Sequence, residues 1–131
     1  MNREYNRDRF ARLQVLYSWV LAGDHQLIYA KTEPLLVYSV DHGHFFNGST
    51  GWTPDSLRQI GPVVLDGYFS ACGLSEAALV EAKSALSQIT DEDIGLVALG
   101  PPDEWGITAD DRAAITEYLI SRRDRLLTLL P

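Results

Sequence analysis

The hydrophobic residues of the first segment recur at helical spacing. Apolar side chains stand three or four positions apart with arginines and Asp8 between them, and they are Phe10, Leu13, Leu16, Tyr17 and Val20. This spacing places the apolar side chains on one face of a helix. The pattern predicts an amphipathic helix of about five turns over residues 1–22. Gly23 is its expected end, because glycine readily adopts the left-handed conformation that terminates helices.

Two short runs rich in strand-forming residues follow this helix. Residues 27–30 and 35–40 are mostly apolar, β-branched or aromatic, and a polar connection at residues 31–34 separates them. Runs of this length with turn residues between them are typical of a β-hairpin. We therefore predict one antiparallel hairpin within residues 23–46.

The remaining segment, residues 47–131, carries repeated helix-start signals. In each, a hydroxyl residue precedes proline or acidic residues, and the four starts are Thr53-Pro54, Ser75-Glu76, Thr90-Asp91 and Thr108-Ala109-Asp110. Such residues cap the free N–H groups of a first helical turn. They predict a short helix that runs to Ile60 and three longer helices. The expected fold class is α+β, predominantly α, in a single domain over residues 1–131.

Composition narrows the classes of function. The chain has 46% hydrophobic residues, three tryptophans and a net charge of −7. The hydrophobic content favours a globular domain, and the negative charge disfavours nucleic acid as the main partner. No run approaches the roughly 18 apolar residues of a membrane span, and the charged start lacks the apolar core of a signal peptide. The expected location is the cytoplasm, with no membrane partner.

Candidate chemistry lies at the ends of the predicted strands. The second strand leads into Asp41, His42, Gly43 and His44, and Asp24 precedes the first strand. A rigid strand can aim an ionisable residue outward, so the two acids can meet across one hairpin. From spacing alone, such acids are more often solvated turn residues or helix caps than catalysts. The pattern leaves both interpretations open.

A second chemical interpretation involves the histidines. His42 and His44 are two positions apart and can lie on one side of an extended strand. Together with Asp24, Asp41 or His25 they offer ligands of the types that zinc takes. This set allows a His/Asp metal-dependent hydrolase, although no further spaced Cys or His ligands are present.

The hairpin segment resembles a known kinase family. Asp24-His25-Gln26-Leu27-Ile28-Tyr29, followed by residues 37–41 and His42-Gly43, is similar to the catalytic-loop and metal-loop hairpin of HipA-like protein kinases. In that family the second strand ends in Asp-His-Gly in place of the usual Asp-Phe-Gly. The likeness extends from about Gly23 through Gly51-Trp52-Thr53 to residues 102–105. It implies a helical domain like a kinase C-lobe.

The resemblance also implies roles for individual residues. Asp24 takes the position of the carboxylate that orients the nucleophilic hydroxyl, and Gln26 and Asp41 take the positions that hold magnesium on ATP. Gln26 stands where the family usually has an asparagine, which is one methylene shorter. A longer side chain loses more rotamer freedom when it is fixed in an octahedral shell.

Three functions follow from this resemblance and from the residues. Only 22 residues precede Gly23, whereas a kinase N-lobe supplies the glycine-rich loop and phosphate-binding lysine. The preferred hypothesis is a truncated, catalytically silent lobe of the kind that a phage or mobile element encodes, which needs no cofactor and binds a host regulator or a related kinase. One alternative is half of a split Ser/Thr kinase that uses ATP and magnesium, and the other is the metal hydrolase. A homodimer through the hairpin and first helix is also open.

Overall fold

The computed structural model describes residues 3–46, 50–59 and 61–131. Within these ranges the elements are α1 (Arg3–Val20), β1 (Leu27–Tyr29), β2 (Val37–Ser39), α2 (Pro54–Arg58), α3 (Glu76–Gln88), α4 (Asp91–Leu99) and α5 (Ala109–Leu127). Single 3₁₀ turns lie at Ser70–Cys72 and Asp103–Trp105. The predicted α+β fold, predominantly α with one small antiparallel hairpin, is confirmed. No helix in the described ranges combines the length and apolar character needed to cross a bilayer.

Helix α1 ends earlier than its predicted stop at Gly23. Leu21 adopts the left-handed conformation with a φ of 53°, and the Ala22 amide donates to the Tyr17 carbonyl at 3.1 Å. This bond closes a Schellman motif, in which a residue with positive φ ends the helix. The conformation costs a leucine about 1 kcal/mol. The partly buried Leu21 side chain offsets this cost by packing against the core.

Helix α1 also holds the hairpin in place. Strands β1 and β2 are antiparallel, with Tyr29 opposite Val37. The fully buried Asn6 side chain accepts a hydrogen bond from the Val37 amide at 2.8 Å and donates one to the Leu35 carbonyl at 3.2 Å. Since one side chain of α1, Asn6, hydrogen-bonds both the Leu35 carbonyl and the Val37 amide, α1 fixes the position of β2.

The predicted helix starts are confirmed. The side chains of Thr53, Ser75, Thr90 and Thr108 each accept a hydrogen bond from a backbone N–H of the first helical turn. At α2, α4 and α5 the bonding is reciprocal and forms a capping box. The predicted end of α2 at Ile60 lies outside the described residues.

Helix α5 packs against four other helices, and its Arg112, Arg122 and Arg123 donate to carbonyls at the ends of α4, α1 and α3. Arg112 donates to the carbonyls of Ala98 and Leu99 at the end of α4, and Arg123 donates to the Ile89 carbonyl after α3. Helix C-terminal carbonyls lack partners within the helix and carry partial negative charge. Arginine side chains satisfy both needs, so α5 joins the helices by polar bonds as well as by apolar contact.

Residues 61–69 differ from the helical remainder that the sequence predicts. They form neither helix nor strand, and they are held against α1 by hydrogen bonds at Asp66. The Asp66 carbonyl accepts from the Gln14 side chain at 2.8 Å, and the Asp66 amide donates to the Ser18 hydroxyl at 2.7 Å. The segment ends at Phe69, whose ring is fully buried. Side chains of α1 thus replace the backbone partners that a helix would supply.

Candidate functional site

The hairpin brings the three predicted site residues to one end of the sheet. Asp24 and Gln26 lie just before β1, and Asp41 lies shortly after β2. The Val40 amide donates to the Gln26 carbonyl at 3.0 Å, which extends the antiparallel pairing beyond the strands. Beyond this end of the sheet, the Gly23 amide donates to the His44 carbonyl at 2.9 Å. The two chain segments are therefore adjacent, as the sequence predicts.

Asp24 and Gln26 are bonded to each other. Gln26 Nε2 donates to Asp24 Oδ2 at 2.8 Å. This bond is the main reason that the pKa of Asp24 lies below its ordinary value of 3.8, and the His25 amide and the charges of His44 and His25 lower the pKa further. A carboxyl group with a lowered pKa is ionised at neutral pH. Asp24 is thus a carboxylate whose negative charge is already partly compensated within the chain.

Asp41 is exposed and directly precedes the turn that the Phe45 amide closes on the His42 carbonyl. Its φ is 52°, in the left-handed region that aspartate tolerates better than most residues. A Cβ atom placed on Gly43 would lie 3.5 Å from Asp41 Oδ1. The carboxylate therefore lies beside the backbone of the turn that follows β2.

The histidines have separate partners in this region. His25 Nε2 lies 2.7 Å from Asp66 Oδ2, and its ring stacks on that of Tyr68 with centroids 4.4 Å apart. His42 Nε2 lies 2.8 Å from Ser39 Oγ. Across the described ranges, no three side chains of His, Cys, Asp or Glu form a group that could hold a metal ion.

The sequence interpretation missed two residues that organise this region. Ser39 Oγ bonds both His42 and the buried hydroxyl of Tyr17. Asp66 is 41 residues away from its partner His25. The Asp-Gly pair at this position indicates a turn but says nothing of a histidine partner. Both contacts depend on how α1 and the 61–69 segment pack against the hairpin.

The arrangement can be compared with what magnesium requires. Asp24, Gln26 and Asp41 all carry oxygen atoms, the donors that magnesium prefers. Gln26, however, turns its amide nitrogen toward Asp24, and their bond engages one carboxylate oxygen. An amide nitrogen is a donor group and does not bind a cation. The bond therefore takes the Gln26 nitrogen and one Asp24 oxygen, and a magnesium site built from these residues would have to use the Gln26 oxygen and the remaining carboxylate oxygens.

The surface around the hairpin is partly apolar. Ile28 and Tyr38, on opposite strands, are both about half exposed. The guanidinium of Arg9 lies over the Tyr38 ring, 5.0 Å from its centroid, and Arg9 Nη1 donates to the Val37 carbonyl at 3.1 Å. Exposed apolar side chains grouped with a cation are common at protein-binding surfaces.

Comparisons of the chain with protein-family models, with curated proteins and with solved structures found no match.

Proposed function

We propose that this chain is a HipA-like kinase lobe that does not transfer phosphate and acts by binding another protein. The observation that carries the proposal is the 2.8 Å bond between Gln26 Nε2 and Asp24 Oδ2. In phosphoryl transfer the equivalent groups must face a hydroxyl and a magnesium ion. Here the amide compensates the Asp24 carboxylate instead, so the charge that would orient a hydroxyl is already engaged within the chain.

The hairpin surface supports the binding role. Ile28 and Tyr38 present apolar area beside the predicted site, and Asp41 and His42 are exposed at its edge. A pocket that binds a small molecule usually encloses most of its ligand. An open surface of mixed apolar and charged side chains is better matched to a protein partner.

A split kinase is the second candidate. The Val40–Gln26 backbone bond favours it, because this bond already places Asp24 and Asp41 at one end of the sheet. The lowered pKa of Asp24 also keeps that carboxylate ionised at neutral pH. In this alternative, a separate chain supplies the phosphate-binding lysine, and its docking turns Gln26 toward the metal.

Isothermal titration calorimetry of the purified chain with magnesium and ATP tests the silent site directly. We expect no saturable heat up to about millimolar ATP, which corresponds to binding weaker than roughly 4 kcal/mol. Stoichiometric nucleotide binding that is lost in Asp41→Asn, followed by phosphate transfer to a substrate, would overturn the proposal. Asparagine suits the left-handed backbone at position 41, so this variant removes the charge without straining the turn.

Variants also separate the two candidates once a partner has been captured, identified and purified. For a silent lobe, Asp24→Asn and Asp41→Asn leave the dissociation constant of the reconstituted complex within about threefold of the parent value. For a split kinase, the same changes abolish phosphate transfer in the complex. Phosphate transfer that both variants abolish therefore favours the split kinase.

A further inference from the structure

Helix α4 carries an unusual amount of exposed apolar area. Its side chains Leu96, Val97 and Leu99 are 61%, 72% and 64% exposed. Trp105, in the 3₁₀ turn that follows, is 72% exposed. Arg112 fastens this turn to α4, because its guanidinium bonds the Leu99 carbonyl and the Asp103 carboxylate. We call these four apolar residues the α4 face.

Helix α4 stands as a ridge between two grooves. On one side, a cavity of about 460 Å³ is lined mainly by Trp19, Ile89, Ile94, Val97 and Leu119. On the other side, a groove of about 300 Å³ between α4 and α5 includes Leu99. Grooves of this kind, beside an exposed helix, accept the apolar side chains of a second helix laid alongside it.

The charges carried by this segment of the chain are all negative. Residues 84–111 contain seven acidic residues and no lysine or arginine. Five of the acids serve the fold, either as partners of arginines or in helix caps, and they are Asp91, Asp93, Asp103, Asp110 and Asp111. Glu92 and Glu104 form no ion pair with any residue in the described ranges. An apolar surface with acidic neighbours favours a basic partner.

We propose that the α4 face binds a basic amphipathic helix of a partner protein. The apolar stripe of that helix covers Leu96 and Val97 and fills the groove beside Val97, while Leu99 borders the contact on the other side. Its lysines or arginines face Glu92 and Glu104. This inference rests on the proposed function, since it names the chemistry of the partner. A two-fold dimer through the same face would place two acidic segments against each other, and an anionic lipid surface would repel them.

A synthetic peptide of leucine and lysine, about 18 residues long with leucines on one helical face, tests this inference. Its binding to the full chain is followed by fluorescence anisotropy. We expect saturable one-to-one binding that Val97→Ser weakens by about tenfold, because the exposed valine supplies apolar contact. Val80→Ser is the matched control: Val80 is also helical and half exposed but lies on α3. It should leave the affinity unchanged.

Two control peptides test the reasoning about pattern and charge. A peptide of the same composition with scrambled order loses the apolar stripe, and one with glutamate in place of lysine reverses the charge. We expect neither to bind measurably. Equal affinity of the parent chain and Val97→Ser for the first peptide, or no binding at all, overturns the inference. Sedimentation that shows a dimer of the parent chain and a monomer of Val97→Ser also overturns it, because a second copy is then the occupant.

These outcomes are distinct from those of the proposed function. The calorimetric titration with magnesium and ATP tests binding at Asp24, Gln26 and Asp41, none of which belongs to the α4 face. If the peptide fails to bind while nucleotide binding is also absent, only the inference about the α4 face is lost. If nucleotide binds and the peptide also binds in a Val97-dependent way, the silent-site proposal is lost and the α4 face stands.

Discussion

Arg122 is a buried charged side chain that forms no ion pair with a carboxylate in the part of the chain that the structure describes. It is only 2% exposed, and its Nε and Nη2 atoms donate to the carbonyls of Trp19 at 2.6 Å and Ser18 at 2.5 Å. Burial lowers the pKa of Arg122, while the Tyr118 ring, 5.4 Å from the guanidinium carbon, favours its charge. Because the two carbonyls lie in the last turn of α1, the cation also meets the negative end of that helix.

We expect Arg122→Met to destabilise the protein by about 3 kcal/mol, since it leaves two buried carbonyls without their donors. Urea unfolding followed by circular dichroism measures the change. Arg125→Met is the matched control on the same helix, and this exposed arginine should contribute less than about 0.5 kcal/mol. Equal effects of the two variants would contradict the capping role of Arg122.

The Asp24 carboxyl gives a prediction about pH. Its folded-state pKa lies below 3.8 mainly because of the Gln26 bond, so the ionised form favours the folded state. This stabilisation is complete above the unfolded-state pKa and is lost as the pH falls through the lower, folded-state pKa. We expect Gln26→Ala to raise the pKa of Asp24 toward 3.8, as measured by carboxyl ¹³C NMR.

Asp93 is the internal control for this titration. Hydrogen bonds from Thr90 lower its pKa, and neither Gln26 nor Asp24 contributes to that shift. The pKa of Asp93 should therefore be the same in the parent chain and in Gln26→Ala. An unchanged pKa of Asp24 in this variant would show that the bond to Gln26 does not hold the carboxylate in solution.

At the scale of elements, the hairpin depends on α1 more than on its own pairing. A two-stranded sheet is marginal in water without further packing. Helix α1 supplies that packing through the Asn6 side chain on β2 and through Arg9, which bonds the Val37 carbonyl. The sequence shows an amphipathic helix next to a hairpin, but neither Asn6 nor Arg9 has a local pattern that indicates these contacts.

We expect Asn6→Ala to lower the free energy of unfolding by about 2 kcal/mol, because the Val37 amide stays buried without an acceptor. Exchange of the Val37 amide with solvent deuterium should accelerate, as followed by NMR. Asp8→Ala, an exposed substitution on the same helix, should change neither quantity measurably. An unchanged exchange rate of the Val37 amide in Asn6→Ala would mean that the hairpin keeps its structure without this contact to α1.

For the whole molecule, Phe69 joins parts of the chain that are distant in sequence. Its fully buried ring stacks on Phe10, with centroids 5.4 Å apart, and contacts Tyr17 at 5.7 Å and Tyr68 at 5.0 Å. This aromatic group connects α1, the 61–69 segment and the residues around His25. Because these parts of the chain share one buried aromatic cluster, we expect the hairpin and the helices to unfold together.

We expect one cooperative unfolding transition, with circular dichroism and tryptophan fluorescence changing together, as for most domains of this size. Phe69→Ala should cost about 4 kcal/mol and Phe69→Leu about half of that, because leucine refills part of the cavity. Two separated transitions would contradict the prediction of a single domain. Unfolding of the hairpin alone in Phe69→Ala, with the helices intact, would also contradict this prediction.

Local patterns in the sequence were enough to determine where the helices start and that one hairpin follows α1. Caps such as Thr90 and Thr108 and the period of apolar residues act within a few positions, so the chain alone carries this information. The same applies to the adjacency of the backbone segments that carry Asp24 and Asp41, because the two strands of a hairpin pair with each other.

Tertiary structure decided the rest. The stop of α1 at Leu21, the capping by Arg122 and the pairing of His25 with Asp66 each join residues whose proximity depends on packing. The side-chain conformation in which Gln26 Nε2 donates to Asp24 is likewise not specified by the spacing of residues in the sequence. Long-range contacts and rotamers respond to the whole fold, whereas caps and periodicity respond to their neighbours in the chain, and this difference separates what could be predicted from what had to be observed.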